Sequence, residues 1–383
     1  MHFALTDEQT QIQEMALAFA RERIAPGADK WDEDCHFPVD VIRETAALGM
    51  AAIYVDADKG GSGLSRLDGA LIFEALSYGC PAVASYISIH NMVAWMVGRY
   101  GTAEQVDAWM PKLASMAWLS SYCLTEPGAG SDAAALRTSA RRDGDHYVLN
   151  GTKQFISGAG ESDFYFLFAR TGGDGAGGIS AFAILKDTPG LSFGANERKM
   201  GWNAQPTAQV ILDDVRVPVS HLVGGVEGQG FKFAMSGLDG GRINIGACSL
   251  GAAWSALDKT RAYVHERKAF GKELAEFQAL QFKIADMATD LEAARLMIYR
   301  GADALDTSDP QATMYSAMAK RYATDLGFKV CNEALQLHGG CGYLKDYGLE
   351  KLVRDLRVHQ ILEGTNEIMR VVVSRKLLSG NRS

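Results

Sequence analysis

Twice along this chain the spacing of apolar residues changes its period, and that double change constrains the fold more than any other feature. Up to about residue 115 the apolar side chains recur at helical spacing. Ile12, Met15 and Phe19 follow Thr6 and Gln9, a pair suited to a capping box. Pro26 is expected to end that helix, and a Gly/Ser-rich break over residues 59–65 to separate later ones. From about 116 to 220 the period falls to two. Residues 147–149, 164–168, 179–185 and 210–212 are strand candidates, punctuated by Asn150-Gly151, residues 171–178 and Pro189-Gly190. Short strands at regular spacing predict a small barrel or sandwich. From about 221 the helical period returns. Leu280, Ile284, Met287, Leu291, Ala294 and Ile298 alternate steps of four and three, a seam that serves an internal bundle or a subunit contact equally well. The expected class is therefore α+β in three parts: an N-terminal helical domain (1–115), a middle β domain (116–220) and a C-terminal helical bundle (221–383).

Composition narrows the function. A chain of 383 residues with 47% apolar and 22% charged side chains can bury a large core. Its net charge of −8 and lack of a long basic run argue against a nucleic-acid partner. No stretch approaches the ~20 apolar residues of a membrane span. Asp7 and Glu8 precede Arg21 and no apolar run follows the start, so no targeting segment is seen and a bacterial cytoplasmic location is expected. Six cysteines (Cys35, Cys80, Cys123, Cys248, Cys331, Cys341) form no CxxC pair and are expected to be reduced and buried. The eight histidines form no metal motif, and no metal is expected.

Five segments carry the chemistry. Residues 122–132 (YCLTEPGAGSD) read as a loop, because Pro127, Gly128 and Gly130 forbid regular structure. Their backbone N–H groups can approach a ligand closely, with Thr125 and Ser131 adding hydroxyls. The loop lacks the third glycine of a dinucleotide fingerprint, since Ala133 stands there. In residues 150–159 (NGTKQFISGA), Asn150-Gly151 signals a hairpin. Phe155 and Ser157 then share one face of the next strand, with Ile156 on the other, and could flank a flat heterocycle. The others are Leu238 to Arg242, Glu266 to Gly271 with Phe277-Gln278, and Gln336 to Tyr343. Near the C-terminus, Glu363 precedes Gly364-Thr365 after an apolar segment. A carboxylate held in poor contact with water gains basicity. Each segment alone reads as well as a turn, a half-buried strand or a helix end.

In this order and at these separations, however, they resemble the acyl-CoA dehydrogenase family, and the resemblance runs from about Leu5 to Leu378. It implies an FAD enzyme that oxidises the α,β bond of an acyl-CoA thioester, as a homotetramer passing electrons to an electron-transfer flavoprotein. Glu363 would be the catalytic base, its own backbone N–H helping to hold the thioester oxygen. The resemblance assigns FAD contacts to Tyr122, Leu124, Thr125, Gly130, Ser131, Phe155, Ile156 and Ser157. A second set comprises Arg267, Phe270, Phe277, Gln278, Gln336, Gly339, Gly340, Thr365, Asn366 and Glu367; Arg267, Phe270 and Gln278 would reach the FAD of a neighbouring subunit. It gives the substrate Ser131, Asp239, Arg242, Gly364 and Arg375. Phe155 and Ser157 depart from the Trp and Thr of many relatives but keep aromatic and hydroxyl character. Four stretches (residues 155–163, 201–207, 240–245 and 343–347) point within the family to isobutyryl-CoA and valine catabolism. 2-Methylbutyryl-CoA or butyryl-CoA is the alternative, with an acyl-CoA oxidase or a non-catalytic scaffold behind them.

Overall fold

The computed structural model describes residues 4–379; the outermost residues of the first and third expected parts lie outside them. Helix α1 (Asp7–Phe19) starts at the expected capping box. Gln9 N donates to Thr6 Oγ1 at 3.2 Å and Thr6 N to Gln9 Oε1 at 3.1 Å. Pro26 does not stop the helical path. The α ladder already gives way to a π turn over Ala20–Ile24, and Pro26 sits in a 3₁₀ turn at the start of α2 (Ala28–Glu33). A missing N–H costs little in a first turn. Then come α3 (Val39–Glu44), α4 (Arg66–Gly79, capped by Ser65 after the expected break), α5 (Pro81–Tyr100) and α6 (Ala103–Ala114). Most of α4 and α5 is buried.

The middle segment is one curled seven-stranded sheet of β1 (Ser120–Cys123), β2 (Ser139–Asp143), β3 (His146–Ser157), β4 (Phe164–Arg170), β5 (Ile179–Leu185), β6 (Leu191–Phe193) and β7 (Thr207–Pro218). The order is β1-β4-β2-β3-β7-β6, with β5 on β4. β4 is buried along nearly its whole length, which suits its continuous apolar run. The expected Asn150-Gly151 hairpin is not a turn. Asn150 pairs with Ser139 inside β3 and exchanges two 2.9 Å bonds with Asp214, and Gly151 sits at a bulge. The actual two-residue turn is Gly144-Asp145, between Asp143 and its partner His146.

The chain then runs through α7 (Gly230–Glu266), a small hairpin (Lys268–Ala269 with Lys272–Glu273), α8 (Gln278–Asp306), α9 (Ala312–His338), α10 (Leu349–Arg357) and α11 (Asn366–Ser379). The α8 seam faces inward: Met287, Leu291, Ala294 and Ile298 are buried, and Leu280 and Ile284 pack against the same core. Two cysteines depart from the expected burial. Cys35 is exposed in the turn after α2, and Cys341 is half-buried in the turn after α9. Among the described residues no helix is long and apolar enough to cross a membrane.

One buried ion pair fixes the loop that follows β1. Lys153, fully buried in β3, donates to Glu126 Oε1 at 2.7 Å and to the Leu124 carbonyl at 3.1 Å. Glu126 also accepts from the N–H groups of Arg137 and Thr138. Burial pushes Glu126 up, but these partners more than offset it and leave the carboxyl below its ordinary range. Breaking such a pair costs about 3–5 kcal/mol. Lys153→Met is therefore expected to lower the thermal midpoint below that of wild type, measured by circular dichroism during a melt.

Candidate active site

Glu363 lies in the short connection between a 3₁₀ turn (Val358–Gln360) and α11. It has φ 53° and Gly364 has φ 92°, so two consecutive residues take the left-handed conformation. That is free for glycine but costs about 1–2 kcal/mol at a glutamate. The turn is held against this cost from below. Arg242 Nε donates to the Glu363 carbonyl at 3.3 Å, and Lys320 Nζ donates to the Gly364 carbonyl at 2.8 Å and to Asn366 Oδ1 at 2.9 Å. Asp239 steadies Arg242 at 2.6 Å and accepts from Thr313 at 2.6 Å. Asn366 and Gln360 both donate to Asp325 Oδ1.

Behind the turn lies His359. Its Nε2 accepts from Trp202 Nε1 at 3.1 Å, so Nδ1 carries the proton and faces Ser249 Oγ at 2.7 Å. Burial and the nearby Lys320 push its pKa down to about 3, so it stays neutral.

The Glu363 carboxyl itself is out of water. Its Oε2 is buried and has no hydrogen-bond partner. Burial pushes its pKa up to about 7, with Lys320 and Arg242 pulling it back. A side chain at Gly241 of α7 would meet this oxygen, since a Cβ there would lie 2.3 Å from Oε2. The structure thus offers an aimed, poorly solvated carboxylate near neutral pKa, the property a carbon acid requires of its base.

The loop after β1 faces the same region. Tyr122, which belongs to the end of β1 rather than to the loop, is held un-ionised first by burial and then by the Glu363 charge. Gln154 N donates to the Thr125 carbonyl at 2.8 Å, fastening the loop to β3. Cβ atoms at Gly128 and Gly130 would meet nothing within 4 Å, so a ligand can approach this backbone closely. Leu124 and Ile156 are buried, and Ser131 is exposed. Phe155 is 63% exposed at φ 58°, on a β3 bulge beside the half-buried Ser157. A strained, solvent-facing aromatic ring next to a hydroxyl and an open glycine backbone fits the flat, polar-edged ring system of a flavin.

The acyl-CoA dehydrogenase N-terminal, middle and C-terminal domain families match residues 6–117, 121–215 and 228–378. This chain belongs to the acyl-CoA dehydrogenase family. It is 56% identical, over 97% of its own length and 90% of the relative's, to the mitochondrial isobutyryl-CoA dehydrogenase of Dictyostelium discoideum. Butyryl-CoA dehydrogenase of Megasphaera elsdenii superposes at TM-score 0.96 with 37% identity, covering 99% of this chain and 100% of that one. A glutaryl-CoA dehydrogenase of Mycobacterium smegmatis, in complex with FADH2, does so at 0.92 with 28% identity, covering 98% and 95%. The protein is an acyl-CoA dehydrogenase, and FAD is its cofactor.

Not all the expected site residues come together. Glu363, Gly364, Asn366, Asp239 and Arg242 form one bonded cluster, with Tyr122 beside it. Thr365 caps α11 by accepting from Ile368 N at 3.3 Å, and Glu367 is exposed. Arg267, Phe270, Phe277 and Gln278 gather instead at the far end of α7. There Phe270 is 96% exposed and meets Phe277 edge-on. Gln336, Gly339 and Gly340 join that end, because His338 stacks on Tyr263, whose carbonyl accepts from Arg267 N. At 1.5 Å per residue, Gln336 lies about 24 Å along α9 from Lys320. Arg375 stands exposed on α11, about 14 Å along the helix from Asn366.

Lys320, Gly241, His359 with Trp202, and the Lys153–Glu126 pair do not stand out in the sequence as site residues. For Lys320 a signal exists. Ala317, Lys320, Thr324, Gly327, Cys331 and Ala334 form one buried stripe of α9, and a lysine within such a stripe needs a partner.

Proposed function

We propose that this enzyme oxidises isobutyryl-CoA to methacrylyl-CoA, with Glu363 removing the α proton. The observation that carries the chemistry is the buried, partnerless Glu363 Oε2; the likeness to isobutyryl-CoA dehydrogenase supports the substrate. Glu363 takes the proton at its carboxylate, while its backbone N–H and the surrounding cations favour negative charge growing on the thioester oxygen. Bound FAD supplies the electron-pair acceptor for the oxidation. Tyr122, Leu124, Thr125, Gly130, Ser131, Phe155, Ile156 and Ser157 would hold its ring end, with Thr365, Asn366 and Glu367 nearby. Asp239, Arg242, Ser131, Gly364 and Arg375 would take the CoA thioester, whose anionic arm suits the guanidinium forks.

Arg267, Phe270, Phe277, Gln278, Gln336, Gly339 and Gly340 would serve the cofactor of a second copy. Their place at the far ends of α7 and α9 supports a homotetramer in which subunits complete each other's sites. The chain divides functionally into the three parts 1–115, 116–220 and 221–383, and an electron-transfer flavoprotein is the proposed oxidant. The test is anaerobic bleaching of the FAD-loaded protein by isobutyryl-CoA, 2-methylbutyryl-CoA and butyryl-CoA in parallel. Bleaching fastest with isobutyryl-CoA is expected. One methylene is worth only about 10- to 200-fold in an apolar pocket. A clear preference for another thioester would overturn the substrate, and no bleaching by any would overturn the chemistry.

A further inference from the structure

Lys320 is a buried cation that no established role explains. It projects from α9 into the base turn, and among the described residues no carboxylate comes within ion-pair distance of it. Its partners are two neutral oxygens, the Gly364 carbonyl at 2.8 Å and Asn366 Oδ1 at 2.9 Å. Asn366 cannot turn its oxygen elsewhere. Its Nδ2 donates to Thr324 Oγ1 at 3.0 Å and to Asp325 Oδ1 at 2.7 Å, which leaves Oδ1 toward the ammonium. A cation without an adjacent counterion is costly to bury, and the negative charge that most favours the charged form here is that of Glu363.

We propose that Lys320 is a positioning residue that pins the left-handed Glu363–Gly364 turn and keeps the Glu363 carboxylate ionised for proton abstraction. The inference rests on the reading of Glu363 as the base. Two cations hold consecutive carbonyls, Arg242 that of Glu363 and Lys320 that of Gly364. Both φ values are positive, and the two donors fasten the carbonyls of this unusual turn. Arg242 from α7 is itself paired with Asp239, whereas Lys320 has no direct carboxylate partner and lends its field more fully to Glu363. The other groups facing Lys320 are Asp325 of its own helix and Glu367 of α11, both favouring its charged form, and Arg242, opposing it. His359 is neutral and adds no charge. Glu363 and Lys320 each favour the other's charged form, while burial opposes both and pushes the Lys320 ammonium down to about 7, so its support of the carboxylate is strongest at and below neutral pH.

The test replaces the cation and follows the proton. Lys320→Met and Lys320→Gln remove the charge; the apolar replacement is the one a buried site tolerates best, so one of the two should fold. Lys320→Arg keeps the charge. In each FAD-loaded variant the protonation of Glu363 is titrated by infrared difference spectroscopy, using the carboxyl band that vanishes in Glu363→Gln. The limiting rate of flavin bleaching is measured across the same pH range. Loss of a nearby cation raises the carboxyl pKa, so the midpoint should move up by about one pH unit or more. Bleaching should then fall about tenfold below the midpoint and recover at high pH. Lys320→Arg should stay near wild type. An unmoved infrared midpoint with a rate lowered equally at every pH would mean a purely structural lysine and overturn the proposal. Full bleaching by Glu363→Gln would instead overturn the reading of Glu363 as the base, while the infrared midpoint still decides the effect of Lys320 on it.

Discussion

Glu363→Gln is expected to slow anaerobic flavin bleaching by about 10²–10⁴-fold, the range a positioned general base contributes, while leaving the protein yellow and folded. The amide is nearly isosteric and keeps an oxygen against Gly241, so the turn need not move. It cannot accept the α proton. The stability side has a definite sign. The folded pKa of Glu363 lies near 7, above its ordinary 4.5. The native state therefore holds that proton more tightly than the unfolded chain, and wild type becomes less stable as pH rises from about 4.5 through 7. A rise of that size corresponds to on the order of 3 kcal/mol at pH 8, with the pull of Lys320 and Arg242 already included. Glu363→Gln carries no charge to bury. Its melting temperature should equal or exceed that of wild type at pH 8 and lose any advantage toward pH 5. A variant that bleaches at the wild-type rate would remove Glu363 from the chemistry; one that melts far below wild type at pH 8 would show that the carboxylate is structural.

What is legible in the sequence is what depends on near neighbours. The Thr6–Gln9 cap, the continuous apolar run of β4 and the four-and-three seam of α8 each depend on residues a few positions apart, and each forms where expected. Features decided by distant partners are not legible there. Asn150-Gly151 has the composition of a hairpin turn. Ser139 and Asp214, 11 and 64 residues away, hold it inside the sheet, and Gly144-Asp145 takes the turn instead. Pro26 suggests a stop because it cannot donate, yet the local α ladder has already loosened into a π turn before it. In the site, Glu363 is visible because a carboxylate before Gly-Thr is a local signature. Its supports come from α7, α9 and the Trp202 segment, which only the fold brings together. Nothing near Lys320 in sequence names Gly364, 44 residues on, as its partner.

The sharpest mechanical test of the site is Gly241→Ala. Alanine is the better helix former, by about 1 kcal/mol in an α-helix interior, and α7 is regular there, so local propensity argues for a more stable protein. The new Cβ, however, would lie 2.3 Å from Glu363 Oε2 and 2.9 Å from Cδ. Neither distance can persist, and the yielding atoms are the flexible end of the glutamate rather than the backbone of a packed helix. The carboxylate should swing aside at little energetic cost, with the fold, the FAD content and the Lys320 contact to Gly364 intact. Catalysis has no such tolerance, because a reacting group misplaced by about 1 Å loses on the order of 10²-fold in rate. Gly241→Ala is thus expected to melt at or above the wild-type temperature while bleaching about 100-fold more slowly. Gly246→Ala serves as the contrast: its Cβ would lie 2.3 Å from Ile298 Cδ1 in the bundle core. That clash should lower the melting temperature by an overpacking cost of about 1–3 kcal/mol and leave the base in place. Stopped-flow bleaching and thermal melts on the two variants would show opposite patterns. If Gly241→Ala instead lost stability and kept its rate, the glycine would serve helix packing, and the close approach of α7 would not be what aims the base.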